Sequence, residues 1–273
     1  MSEKDEMSFL GHLEELRWHL LRATLAIVIF ASVAFFFKGF IFDVLLFGPK
    51  SKDFITYQWF CSIAESLGQT SSFCDDELPF RIQSRNVSGQ FSAHLWTSVL
   101  AGFIVAFPYV IYEFWRFVSP GLYENERKNA RGFIFISSLL FFCGILFGYY
   151  IVTPLSINFL ANYSVSAEVF NDFDLSSYIG LLRASVLASG LIFELPIIIY
   201  FLAKVGVITP QFLRKNRKIA LVLVLSLSAI ITPPDIASQI IVSIPILILY
   251  EISIIIAKVV VRNQEKAMKP KSS

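Results

Sequence analysis

Long apolar blocks separated by short polar stretches set the pattern of this chain. The blocks cover about 20–37, with apolar character resuming at 40–47, then about 91–112, 132–152, 178–203, 219–232 and 236–261. A bilayer core takes about 20 helical residues, so most of these blocks read as spans. The exception is IALVLVLSLSAIIT at 219–232, with 14 residues. Taken alone it reads as a re-entrant segment. TPPD at 232–235, however, is a sharp turn between two apolar runs, and the simpler reading is a short helical hairpin, which gives six spans. Ahead of the first block the pattern turns periodic. Phe9, Leu13, Leu16 and Leu20 fall on one helical stripe, and His12, Glu15, His19 and Arg22 form a polar flank. Asp5, Glu6 and Ser8 suit the positive end of a helix dipole. An amphipathic helix over 1–19 is predicted at the membrane surface.

Composition agrees with a membrane protein. The chain has 273 residues, 28 of them Phe, and is 55% hydrophobic and 16% charged, against about 25% charged in soluble domains. An all-α integral membrane protein with a single six-span domain over 1–273 is expected. Lys and Arg number three in 1–22, four in 113–131, five in 203–218 and five in 258–273, which is 17 of the 23 present. The connections 153–178 and 232–236 have none. Positive charge marks the cytoplasmic side, so both termini, the loop 113–131 and the basic tail 262–273 are assigned to the cytoplasm. The long connection 38–88 is then external. The amino terminus begins acidic and has no small-x-small cleavage pattern after a short apolar run, so no signal peptide is expected to be removed. Of three cysteines, Cys143 lies within a span, whereas Cys61 and Cys74 share the external connection. An oxidising compartment permits a disulfide between them; the alternative is two free thiols.

Catalytic signatures are missing. There is no G-x-x-x-x-G-K-[ST], no H-E-x-x-H and no G-x-S-x-G, and His12, His19 and His94 show no metal-ligand spacing. An enzyme is disfavoured. Three polar groups fall within the membrane. Glu194, in GLIFELPIII, lies near the middle of the fourth span, where a charged and unpaired carboxyl costs several kcal/mol; it is either protonated or faces a wet cavity. Pro196 predicts a kink there. Gln239 lies in the first turns of the last span, and Glu251 near its cytoplasmic end, within reach of cytoplasmic Arg or Lys. Asp235, directly after Pro233-Pro234, is placed to cap that helix. A proton-coupled small-solute transporter using Glu194 is one reading of these groups, but it predicts symmetric halves, and no convincing internal repeat is visible.

The strip 112–131, YEFWRFVSPGLYENERKNAR, is unusual for a cytoplasmic interface. Tyr112, Phe114, Trp115, Phe117 and Tyr123 suit the headgroup level, yet Glu124 and Glu126 sit among Arg127, Lys128 and Arg131. Glu14 and Glu15 repeat that oddity near the amino terminus. A solvated loop with internal ion pairs is the plain reading. The functional one is a carboxylate dock, since a carboxylate takes a guanidinium through two parallel hydrogen bonds that an ammonium cannot match.

Four stretches, FLGHLEELRWHLL, YEFWRFVSPGLYENER, FELP and TPPDIASQ…IPILILYEI, resemble in order and spacing the signatures of the TatC family, the polytopic core of the twin-arginine (Sec-independent) protein translocase. The resemblance extends over essentially the whole chain. It implies a six-helix, concave, glove-like bundle with cytoplasmic termini and short fifth and sixth helices, in the cytoplasmic (inner) membrane. It implies binding of twin-arginine signal peptides on folded cargo, single-span TatA/TatB-type partner subunits, self-association in a larger complex, drive by the proton-motive force, and no cofactor. Glu15 and Arg17 match charges of the amino-terminal motif, Phe117 the aromatic and Glu126 the acid of the loop motif, with Glu124 beside it. Pro49 matches a proline of the first external loop, Glu194 the mid-membrane acid, and Asp235 the acid of the T-P-P-D turn. Thr232 and Gln239 match polar positions where single-span subunits are thought to dock, and Glu251 an acid of the last span. Two features depart from the pattern: the long external loop with Cys61 and Cys74, and His19 where a second base is usual. A fifth span of 14 residues rises about 21 Å against about 30 Å of hydrocarbon, so local bilayer thinning is a further expectation.

Overall fold

The computed structural model describes residues 9–68, 72–74, 78–119, 130–166, 168–169, 171–233 and 235–268. The periodic stripe and the first apolar block form one helix, α1 (Phe9–Phe36). The boundary expected near residue 19 is absent, because no Gly or Pro follows Gly11 to interrupt the helical run. A π-helical turn (Phe40–Leu46), α2 (Ile55–Ser66) and a short strand β1 (Arg81–Gln83) lead to α3 (Gly89–Val118). That helix runs six residues further than the apolar block predicts. EFWRFV at 113–118 holds no breaker, so part of the strip read as a loop is helical.

The third apolar element is α4 (Ala130–Phe147), continued through a π-turn (Gly148–Val152) into α5 (Thr153–Asn162). Strand β2 (Asp172–Asp174) precedes α6 (Leu175–Phe193), then come α7 (Leu195–Lys204), α8 (Pro210–Lys215), α9 (Arg217–Ile231) and α10 (Ile236–Met268). Among the described residues, five stretches are long and apolar enough to cross a membrane: Leu13–Phe36, Gly89–Val118, Gly132–Asn162, Leu175–Lys204 and Ile236–Gln264. Helix α9 has 15 residues, about 22 Å at 1.5 Å each. The last helix is not short, contrary to the expectation. It has 33 residues, because Pro245 lies within it without ending it and the polar segment beyond 261 stays helical.

The chain divides into two compact units, Met1–Phe42 with Asn86–Leu139, and Asp43–Arg85 with Leu140–Ser273. In the first, α1 and α3 pair antiparallel, His19 opposite Glu113 at one end and Phe35 opposite His94 at the other. At Gly102 the two backbones nearly touch: a Cβ there would lie 2.7 Å from Cα of Ala31. His94 stacks on Phe35 with centroids 4.0 Å apart, and its Nε2 lies 3.0 Å from the Phe35 carbonyl. Leu20, Leu25, Val28, Ile29 and Val33 of α1 are exposed, as a lipid-facing helix requires.

The second unit has two kinds of contact. Small residues bring the third and fourth spans together. A Cβ on Gly144 would lie 2.6 Å from the Ser189 carbonyl oxygen, and one on Gly148 would lie 2.7 Å from that of Ser185, the close approach that Gly-x-x-x-Gly allows. Tyrosine hydroxyls anchor the excursion after the first span. Tyr57 donates to the Pro49 carbonyl at 2.8 Å, Tyr149 to that of Leu45 at 2.9 Å, and Tyr178 to that of Leu46 at 2.9 Å. Strands β1 and β2 pair in parallel, Arg81 opposite Asp172 and Gln83 opposite Asp174. Cys61 and Cys74 are bonded to each other.

Candidate functional site

In the first unit, helical spacing assembles a charged cluster. Glu15, His19 and Arg22 follow at intervals of four and three along α1, so they share a face. On α3, Tyr109, Glu113, Arg116 and Phe117 do the same. Where the faces meet, Glu113 is 2% exposed and surrounded by donors. His19 Nδ1 lies 2.5 Å from its Oε2, Arg22 Nη1 3.7 Å from the same oxygen, and Arg116 Nη1 3.9 Å from Oε1. The Tyr109 hydroxyl also donates to this carboxylate. Buried acids persist when paired in this way, and removing the partners strands a charge. The Phe117 ring meets the His19 ring edge-on at 6.3 Å. Glu15 is half-buried and Arg17 exposed. Glu124 and Glu126 lie outside the described residues.

Glu113 was not singled out from sequence. Its signal was present: it lies four residues before Phe117 in a run without a breaker, which continues the α3 face. His19, by contrast, stands where the resemblance has a second base, and the structure pairs it with Glu113.

In the second unit the fourth span breaks at Glu194. This residue ends α6 and starts α7, and its carbonyl accepts from Ile197 and Ile198 at 2.9 and 3.0 Å. Pro196 follows at the second position of α7, where a missing amide hydrogen costs nothing. Glu194 is 7% exposed. Arg183, also within the fourth span, donates weakly to the Ile179 carbonyl at 3.4 Å; sequence reading passed over it.

The turn between α9 and α10 uses its polar residues on itself. Asp235 accepts from the Ser238 amide at 2.8 Å and so caps α10. Burial opposes ionisation of this carboxyl, but bonds from the Ser238 hydroxyl and from the Ser238 and Ala237 amides outweigh it and hold its pKa below the ordinary value. Gln239 donates to the Leu225 carbonyl at 2.9 Å, and buried Thr232 to that of Ser228 at 2.8 Å. Glu251 pairs with Arg217 at 2.6 Å, both half-exposed. Pro49 is buried, and its carbonyl takes the Tyr57 hydroxyl. A cavity of about 340 Å³ beside the turn is lined by Phe60, Phe73, Asn158, Phe159, Tyr163 and Asp235, among others.

These features define a polytopic helical membrane protein whose charged groups gather at helix ends and a helix break. The family model for TatC, the Sec-independent protein translocase protein, matches residues 11–245. The translocase protein TatC of Blattabacterium sp. subsp. Periplaneta americana is 44% identical over 94% of this chain and 97% of its own length. TatCy of Bacillus subtilis is 34% identical over 96% of this chain and 93% of its own. A crystal structure described as the twin arginine translocase receptor TatC superposes with a TM-score of 0.68 at 33% identity, covering 92% of this chain and all of that one.

The chain belongs to the TatC family of Sec-independent protein translocase proteins. It is a multi-pass protein of the cytoplasmic membrane and a protein-transport component of the twin-arginine translocase. That membership displaces the small-solute transporter reading.

Proposed function

We propose that this chain is the signal-peptide receptor of its translocase. Two neighbouring guanidiniums on an incoming peptide carry charge +2, and Glu15 and Glu126, with Glu124 nearby, are the acids offered to them from the cytoplasmic side. Phe117 gives apolar contact to the residues after the arginines, and Arg17 tunes the field around Glu15. One observation supports this reading above the others. The His19 contacts to Glu113 and Phe117 hold the amino-terminal motif and the start of the loop motif on one helix pair, so both motifs can address one ligand.

Single-span TatA/TatB-type subunits are the proposed neighbours of the α9–α10 hairpin. Thr232, Asp235 and Gln239 spend their bonds on shaping it, while Ile230, Ile236 and Ile240 are exposed there and suit an apolar helix. With no phosphate-binding loop in the sequence, the proton-motive force is the proposed energy source, with Glu194 as its candidate titrating group.

A crosslink scan of 112–131 with a paired-arginine peptide tests the receptor reading. Crosslinks are expected near Glu126. Their yield should fall with a lysine-pair peptide and with Glu126→Gln, because losing one carboxylate of a partly desolvated pair costs about 2–5 kcal/mol. Undiminished crosslinking in both cases sinks it.

A further inference from the structure

The receptor reading leaves the buried carboxylate of Glu113 without a task. We propose that Glu113 is a positioning residue: through His19 it fixes the rotation of α1 and hence the location of Glu15 relative to Phe117, with a strength that follows the charge of His19. The inference rests on the receptor reading and extends it to the regulation of that surface.

Three observations lead there. Glu113 cannot be a direct ligand for an incoming guanidinium while it is 2% exposed and already faces His19, Arg22 and Arg116. Of its three basic neighbours His19 is the nearest, at 2.5 Å, while the two guanidiniums stand at 3.7 and 3.9 Å. His19 itself lies between proposed ligand residues: Glu15 is one helical turn before it on the same face, and the Phe117 ring rests against its ring. A shift of His19 therefore moves both sides of the peptide surface.

The pH dependence follows from the groups at hand. Among the described residues, those facing Glu113 are His19 and Arg22 from α1 and Tyr109 and Arg116 from α3. Of these side-chain types only an imidazole has an ordinary pKa between pH 5 and 8. Protonated, it makes a charge-assisted bond to the carboxylate, which is shorter and stronger than a neutral one. Protonation therefore tightens the α1 anchor, and peptide affinity should rise as pH falls from 8 to 6. An arginine at position 19 would keep the anchor and lose the dependence.

The test uses the full chain in lipid nanodiscs and a fluorescein-labelled twin-arginine peptide, with its twin-lysine counterpart as control. Affinity is measured from pH 6 to pH 8. The wild type should bind the arginine peptide about three- to tenfold more tightly at pH 6. His19→Arg should flatten that profile at the tight level, Glu113→Gln should flatten it at the weak level, and His12→Gln should leave it unchanged. A profile that stays sloped in His19→Arg, or flattens in His12→Gln, overturns the proposal. So does a flat wild-type profile. His19→Arg keeps an ion pair, so its result stands even if Glu113→Gln folds poorly. Loss of discrimination between the two peptides in the wild type is a separate result, which removes the receptor reading instead.

Discussion

Asp174 shows how one side chain can join distant segments. Its Oδ1 accepts from the Arg85 amide at 3.2 Å and its Oδ2 from the Ser176 amide at 3.0 Å, so it both locks β1 beside β2 and caps α6. The Arg85 bond is the largest influence; burial opposes it, and with the bonds from Ser176 and Ser177 the pKa is held below the ordinary value. A carboxylate depressed in the folded state contributes stability above its unfolded pKa of about 3.9 and loses it as pH falls through the folded value. The protection factor of the Ser176 amide should therefore fall as pH drops below about 4, and in Asp174→Ala it should already be low at pH 6 and show no acid transition. The exposed Glu251–Arg217 pair is the opposite case. Half-exposed pairs are worth about 0–1 kcal/mol, so Glu251→Gln should leave thermal stability nearly unchanged, as a melting curve in detergent would register.

Elements explain what could and could not be read from the chain. FELP announced the break at Glu194 because a proline constrains the helix locally, whatever surrounds it. TPPDIAS announced the cap on α10 for the same reason. The end of α3 was misjudged, because aromatic and charged residues together imitate a surface loop, and Glu113 meets His19, 94 residues away in the chain, only once α1 packs beside α3. The Gly144/Gly148 contact was likewise invisible until a partner helix lay against it. Helix contact at Gly102 gives a direct test. A leucine there must push Ala31 aside, with a cost of about 1–3 kcal/mol or more, so Gly102→Leu should lower the melting temperature and weaken peptide binding along with it. In α9, a four-leucine insertion would bring its length near 28 Å and remove the mismatch that thins a bilayer. Export of a folded cargo in vesicles should fall while peptide binding holds; equal export would end the thinning idea.

At the scale of the whole molecule, the distribution of charge was the most legible property. Seventeen of 23 bases fall in four segments, and the positive-inside assignment uses only that count. Membership in the family was legible too, since four motifs stand in order. The division into two compact units was not, because apolar blocks of similar character do not reveal which neighbour each will choose. The assigned topology is itself testable with single cysteines in a Cys143→Ala background that keeps the Cys61–Cys74 bridge. Labels placed at Arg17 and Arg214 should react with an impermeant maleimide only in inverted vesicles, and one at Ser164 only in right-side-out ones. Reaction of Arg17 and Ser164 from the same side would undo the orientation and, with it, the shared cytoplasmic surface.

Tyr57, Tyr149 and Tyr178 donate to main-chain oxygens, those of Pro49 and Pro154, Leu45 and Leu46 respectively. A carbonyl is the same in every amino acid, so the hydroxyls are indifferent to which side chains stand at their acceptors. The segment around these acceptors can drift in composition while its backbone route stays the same. Three phenols are the toll for that freedom, and a sequence library should find these positions intolerant while many around Leu45 accept change.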